Sequence, residues 1–375
     1  MAHMSQKKLH IISFNVPYPP NYGGVIDVYY KIKALHELGI KIILHCYSYG
    51  RQANAELESL TEKTYYYQRK TGLRSQLSRL PYIVKSRADQ KLLKRLVADD
   101  YPILFEGLHC CYFLNHPELA KRKKVVRTHN IEHEYYRGLY LQEKKLKARL
   151  FFGLEAKKLQ RFEAVLKQSS AIAAISDKDR EHFKHYCKQS ITIAPFHSNT
   201  SYSMSLEQSD YLLYHGNLEV AENVEAAMFL IKAFAQEEDI RLIIAGHKPH
   251  KSLIEAVKGL SHIQLISSPG DMKSLIREAQ VNILPTFQAT GVKLKLLEAL
   301  FCGKHLLCNA HMVSGTGLDS ICHLAESQED FVALAKKLLK IPFTARDIEK
   351  RQAILDKNYS PHKNAQKLVN LIFEA

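Results

Sequence analysis

The stretch that most constrains the fold runs from Val281 to Asn309, VNILPTFQATGVKLKLLEALFCGKHLLCN. A short apolar run ending at Pro285 reads as a buried strand. A loop follows from Thr286 to Gly291. Residues 292–302 then have helical spacing, with Leu294, Leu297 and Leu300 on one side. Gly303 stops the helix, and 305–308 reads as the next strand. A β-loop-helix-β unit of this kind belongs to a parallel sheet, whose ligand crevices lie at the carboxyl ends of the strands. The first turn of the helix offers unpaired N–H groups and partial positive charge, and diphosphates settle in such places. Lys293 and Lys295 add two ammonium groups beside it. Glu298, one to two turns on, can accept hydrogen bonds from vicinal hydroxyls such as those of a ribose. A nucleoside diphosphate meets both requirements. The plainer alternative is an amphipathic helix with a solvated charged face.

The run Gly291–Ala299 (GVKLKLLEA), followed by Gly303-Lys304, resembles the donor-site signature of GT-B glycosyltransferases of the family 4, or group 1, type. Many members carry two glutamates separated by seven residues. Glu298 matches the second, and the first falls at Thr290. The resemblance implies a sugar-nucleotide donor held by Thr290, Gly291, Val292 and Glu298, with Lys293 and Lys295 supporting the departing diphosphate. It also implies transfer with retention of configuration; no metal or other cofactor is expected where the lysines and the helix N-terminus supply the charge.

The rest of the chain extends this pattern. Its 375 residues favour two domains over one, and an apolar fraction of 46% supplies their cores. Residues 9–15 read as a first strand, 16–24 as a loop rich in Pro, Gly and Tyr, and 25–38 as a helix ended by Gly39. Gly23 and Gly24 permit a close backbone approach to a ligand, and the loop lacks the G-x-G-x-x-G of a dinucleotide site. At the end of a later strand stands Arg127-Thr128-His129-Asn130-Ile131-Glu132. It resembles the family's R-x-H-N-x-E, which implies that His129, Asn130 and Glu132 line the cleft near the transferred sugar. A histidine there can hold a hydroxyl or move a proton; the alternative is a loop histidine capping a helix. His129 and His133 lack an H-E-x-x-H pattern and a third ligand nearby in sequence, so no metal is expected. Asp177-Lys178-Asp179 after Ser176 reads as a helix cap. A long basic helix is expected over 143–169.

A Ser-rich stretch, 198–210, reads as a linker. Beyond it the strand–helix rhythm restarts, with Gly216-Asn217 and Gly246–Lys248 at two strand ends resembling the family's phosphate-side loops. The expected architecture is therefore α/β: two Rossmann-like doubly wound domains facing across a cleft. The acceptor domain takes 1–197 and the donor domain 211–360, with a final helix in 361–375 returning to the first. Lys+Arg 53 against Asp+Glu 38 gives a net charge of +15, which suits an anionic partner. Leu73 to Lys85 interleaves apolar with Arg and Lys residues, as at an anionic membrane surface, with Pro81 breaking the helix. No nucleic-acid recognition motif is present. Seven irregularly spaced cysteines, no apolar run of spanning length and no stretch composed like a signal peptide point to a cytoplasmic setting, peripheral at the inner face of the membrane. The expected function is sugar transfer from a nucleotide diphosphate sugar to a glycan or lipid-linked acceptor in cell-surface polysaccharide or lipopolysaccharide synthesis. The alternatives are a sugar-nucleotide hydrolase or epimerase of the same fold, a nucleic-acid-binding protein, and a nucleotide-binding scaffold without turnover.

Overall fold

The computed structural model describes residues 7–288 and 291–374. They form two compact units. The first takes in the chain through Ser198 and again from Asn358, and the second is Asn199–Lys357.

The first unit is built on a seven-stranded sheet: β1 (Lys8–Ser13), β2 (Lys41–Ser48), β3 (Lys63–Gln68), β4 (Ile103–Glu106), β5 (Lys124–Arg127), β6 (Ala171–Ala174) and β7 (Ser190–Thr192), in the order β3-β2-β1-β4-β5-β6-β7. Every pairing is parallel. β4, β5 and β6 are buried at every position, the mark of strands covered on both faces. The first helix, α1 (Gly23–Glu37), buries Val25, Val28, Ile32 and Leu35. It stops at Gly39, whose φ of 78° suits a residue without a Cβ.

Helix α2 (Glu132–Gln142) packs side by side with α3 (Leu146–Phe162), which together with a 3-10 turn, Glu163–Gln168, occupies the stretch 143–169 expected as one long basic helix. The chain turns at Glu143, which is extended (ψ 126°). Leu73 to Lys85 likewise forms two short helices, Leu73–Gln76 and Tyr82–Lys85, with Pro81 as the N-cap of the second. The next helix, α4 (Asp177–Phe183), is capped by Ser176, whose Oγ accepts from Asp179 N at 3.1 Å. The C-terminal helix, Pro361–Phe373, buries Leu368, Val369, Leu371 and Ile372 in the core of this first unit and packs on α1.

The second unit repeats the plan with six parallel strands: β8 (Tyr211–Asn217), β9 (Arg241–His247), β10 (Ile263–Ser267), β11 (Val281–Leu284), β12 (His305–Cys308) and β13 (His323–Leu324), ordered β10-β9-β8-β11-β12-β13. Helices α5 (Ala221–Phe234) and α6 (Leu294–Cys302) follow β8 and β11. Leu296, Leu297 and Leu300 of α6 are fully buried, each stabilising the unit by about 1.5–3 kcal/mol. Arg351, on the helix Ala345–Asn358, caps its far end by donating to the carbonyls of Gly303 at 2.7 Å and Lys304 at 2.6 Å. The stretch 198–210 packs onto this unit rather than hanging free. Tyr202 stacks on Phe301, and Ser209 N donates to Gln280 Oε1 at 3.1 Å.

Both sheets change direction beside their first strand, between β1 and β4 and between β8 and β11. That is where open parallel sheets hold ligands. In the first unit this place is filled by charge. Asp27 of α1 accepts from Arg127 Nη2 at 2.9 Å, from Lys31 Nζ at 2.9 Å and from the backbone N of Phe196 at 2.8 Å. Lys31 also reaches Glu106 at 2.7 Å. Asp27, Lys31, Glu106 and Arg127 are each at most 1% exposed. Burial pushes the Asp27 carboxyl up, but Arg127, Lys31 and His129 outweigh it and hold Asp27 well below the usual carboxylate range. Glu106 is held low by Lys31 and His129 against the same opposing burial.

Removing one partner from such a cluster strands the others in an apolar interior. Arg127→Met should destabilise the first unit by about 3–5 kcal/mol, read as a loss of denaturant-dependent amide-exchange protection in β1, β4 and β5 while β8 to β12 keep theirs. Unchanged protection in β1, β4 and β5 would refute this account of the cluster.

Candidate functional site

In the second unit, Gly291 has a φ of 65°, and the chain then enters α6 at Leu294. The helix thus opens two residues later than expected, and Lys293 is its N-cap in extended backbone (ψ 113°). The two lysines are separated by their fates. Lys293 Nζ pairs with Glu222 Oε1 at 2.9 Å. Lys295 Nζ turns inward beneath α5, donating to Asn223 Oδ1 at 2.9 Å and to the Tyr214 hydroxyl at 3.1 Å. Glu222 also accepts from Thr286 Oγ1 at 2.6 Å, so the first turn of α5, the end of β11 and the start of α6 are tied together at one carboxylate. Burial lowers the Lys295 ammonium, Glu222 opposes and Lys293 adds to the lowering, and the group settles at about 8. Tyr214 is pushed well above its ordinary value by burial and by Glu222.

The other expected residues of this unit fall around the same strand ends. Gly216 and Gly246 are partners in the β8–β9 register. A Cβ on Gly246 would lie 1.8 Å from the Gly216 carbonyl oxygen, so only glycine fits there. Asn217 is exposed, its Oδ1 accepting from Glu219 N at 3.1 Å. Lys248 adopts a positive φ of 45° and holds its ammonium 3.9 Å from Glu219 in solvent. Val292 is half-buried, and so is Glu298, in the middle of α6, whose carboxyl burial raises and Lys273 lowers. Thr290 lies outside the described residues. Glu222, Asn223 and Tyr214 were not found from sequence. Their sole signal is that each stands on β8 or in the first turn of the helix after it.

In the first unit, Gly23 opens α1 in the exposed position expected of a loop glycine, and Gly24 lies against Phe14, whose ring a Cβ would meet at 2.8 Å. Phe14 in turn sits edge-on to His129 and tilted against His109. His129 is buried, with Nε2 3.1 Å from Glu106 Oε2 and Nδ1 3.6 Å from Asp27 Oδ2. Both ring nitrogens therefore face internal carboxylates. This differs from a histidine presented to a substrate hydroxyl, because the buried charge cluster below it claims the ring. Glu132, in the first turn of α2, is buried 3.7 Å from His109 Nδ1. Burial pushes its carboxyl up to about 8, Arg87 opposes, and Glu163 and Asp179 add to the rise. Asn130 is half-buried between them. Sequence reasoning missed His109, Asp27, Lys31 and Glu106, since residues far apart in the chain meet here only through the strand order. Among the described residues, no helix is long and apolar enough to cross a membrane.

Comparison with known proteins places this geometry. Residues 209–341 match the family model described as glycosyl transferases group 1. The chain is 26% identical over 335 residues to an uncharacterized 44.6 kDa protein in the cps region of Klebsiella pneumoniae, covering 83% of this chain and 84% of the relative. Among solved structures it resembles WaaG, a glycosyltransferase involved in lipopolysaccharide biosynthesis, with a TM-score of 0.65 at 15% identity over 98% of this chain and all of WaaG. It also resembles Anabaena Alr3699/HepE in complex with UDP and glucose, with a TM-score of 0.64 at 13% identity over 97% of this chain and 98% of that one. The match to group 1 glycosyl transferases lies within the second unit, and the chain as a whole shares the fold of the GT-B glycosyltransferases it resembles.

Proposed function

We propose that the chain transfers a sugar from a nucleotide diphosphate sugar to a hydroxyl of a glycan or lipid-linked acceptor during cell-surface polysaccharide synthesis, with retention of configuration. The observation that carries the reading is the pair of ammonium groups above β8 and β11, one held by Glu222 and one buried against Tyr214 and Asn223. The second unit binds the donor there. The acceptor oxygen bonds to the anomeric carbon as the bond from that carbon to the diphosphate breaks. The leaving diphosphate takes the electron pair, and Lys293 and Lys295 meet the charge it gains. The arrangement needs no metal for that purpose. Glu222 keeps Lys293 in place before the donor arrives, and Glu298 is assigned to donor hydroxyls. The first unit takes the acceptor, and His129, turned toward Asp27 and Glu106, acts by fixing the loop that carries Asn130 and leads into α2 at Glu132. The Klebsiella relative encoded in a cps region supports a role in surface polysaccharide, and the neighbour solved with UDP and glucose supports a nucleotide-sugar donor.

A membrane-facing first unit accords with a lipid-linked acceptor. Leu141, Leu146, Leu150 and Leu154 of the α2–α3 hairpin are 56–71% exposed, and Leu73 and Leu77 are 71% and 83% exposed. Lys144, Lys145, Lys147, Arg149 and Arg74 stand exposed among them. Apolar side chains ringed by cations suit the headgroup boundary of an anionic leaflet.

Three outcomes test this reading. Lys293→Ala and Lys295→Ala should each lower turnover by about 10²–10³, measured as nucleoside diphosphate released from the tightest-binding nucleotide sugar with circular dichroism unchanged; wild-type turnover in both would sink it. Because Lys295 is charged below about pH 8, affinity for a nucleoside diphosphate should hold up to that point and fall about tenfold by pH 9. Calorimetry across that range should show the fall in wild type and not in Lys295→Arg, whose guanidinium stays charged; the same fall in both would remove Lys295 from the diphosphate. Vesicles containing phosphatidylglycerol should co-sediment the protein and phosphatidylcholine vesicles should not, with Leu150→Ser/Leu154→Ser abolishing the difference.

A further inference from the structure

Three segments of the first unit bring a set of metal-type ligands to one point. His133 lies in the first turn of α2, Glu163 opens the 3-10 turn after α3, and His182 is near the end of α4. His133 Nδ1 is 3.5 Å and His182 Nε2 2.8 Å from Glu163 Oε2. One donor atom from each residue lies within 4.8 Å of the others. In a tetrahedral site with bonds near 2.0–2.1 Å, adjacent ligand atoms stand about 3.3 Å apart, so the set needs only small side-chain shifts to close on an ion.

Hydrogen bonding alone leaves this cluster incomplete. A proton shared between His182 and Glu163 satisfies that one contact. His133 Nδ1 reaches Glu163 only as a long contact of 3.5 Å, the Tyr186 hydroxyl acts on the same carboxylate, and Glu163 Oε1 remains buried without a well-formed hydrogen bond although Glu163 is 1% exposed. Buried polar atoms are rarely left so. Asp179, on the same helix as His182, is also buried, and its Oδ2 is another oxygen without a hydrogen-bond partner. The comparison within the same unit is instructive. Asp27, Glu106 and His129 also meet the spacing for a metal, but Lys31 and Arg127 already fill that cluster with cations. No lysine or arginine pairs with Glu163 among the described ion pairs.

We infer that His133, Glu163 and His182 form a binding site for one divalent transition-metal ion of the zinc type, which clips α2 to α4. Two imidazoles and a carboxylate give a net ligand charge of −1, and nitrogen donors select zinc, cobalt or nickel over magnesium and calcium. The carboxylate lies at the base, while the His133 and His182 side chains are 12% and 26% exposed, which leaves the outer side open to water as the remaining ligand. The ion would fix the first turn of α2, and with it Glu132 and the loop of His129 and Asn130. This is a structural clip beside the candidate acceptor residues, and it stands whether or not the proposed transfer chemistry does.

The test uses the full chain stripped with a chelator. Titration with Co²⁺ should give one equivalent of tight uptake with the visible bands of a low-coordinate ion, displaced by Zn²⁺ and not by Mg²⁺. Glu163→Gln and His182→Gln should each weaken uptake at least tenfold, while His185→Ala, an exposed neighbour just past the end of α4, should leave it unchanged. In the unmutated chain, Zn²⁺ should slow imidazole C2 hydrogen exchange at His133 and His182 and not at His185, a readout independent of variant folding. Silence in the titration, equal affinity in the Glu163 and His182 variants, or exchange slowed equally at all three histidines would overturn the site.

Discussion

A carboxylate taken out of water must find a cation or give up its charge, and much of this protein is arranged around that requirement. Asp27 and Glu106 lie at the turning point of the first sheet with no more than 1% of their surface exposed. Their partners, Lys31 and Arg127, come from the next turn of α1 and from the end of β5. The cluster therefore joins α1, β4 and β5 at the place where a doubly wound sheet would otherwise leave a polar gap. It also determines what His129 can do, because the ring lies between these two carboxylates.

The second unit uses the same device more loosely. Glu222 is 17% exposed and holds Lys293, which is 18% exposed. The pair is largely shielded from water, so Glu222 holds the Lys293 ammonium in one place beside the start of α6. Lys295 is different. Its ammonium is held by neutral oxygens, and burial, opposed by Glu222 and reinforced by Lys293, lowers its affinity for the proton.

Much of the architecture was legible before any coordinates. Parallel strands covered on both faces must be nearly all apolar, so the runs at 103–107, 171–175 and 281–285 announced themselves. Glycines and serines marked most boundaries, as Gly39 and Ser176 show. The two misjudged regions have physical causes. The helix expected from Glu143 begins only at Leu146, because Glu143, Lys144 and Lys145 are each compatible with a helix and only the packing of α2 beside α3 requires a turn there. The opening of α6 shifted to Leu294 because Lys293 takes the extended backbone of a cap, which spacing alone does not distinguish from a first turn.

The sequence by itself determined two α/β units, the succession of strands and helices along each, and the stretch around Lys293 and Lys295, since periodicity and turn chemistry are local properties. Tertiary structure alone decided which charges meet. Asp27 and Arg127 are a hundred residues apart, Glu222 and Lys293 stand on different helices, and His133, Glu163 and His182 come from three separate elements. Such pairings depend on the order in which strands lie side by side, and no local pattern in the chain records it.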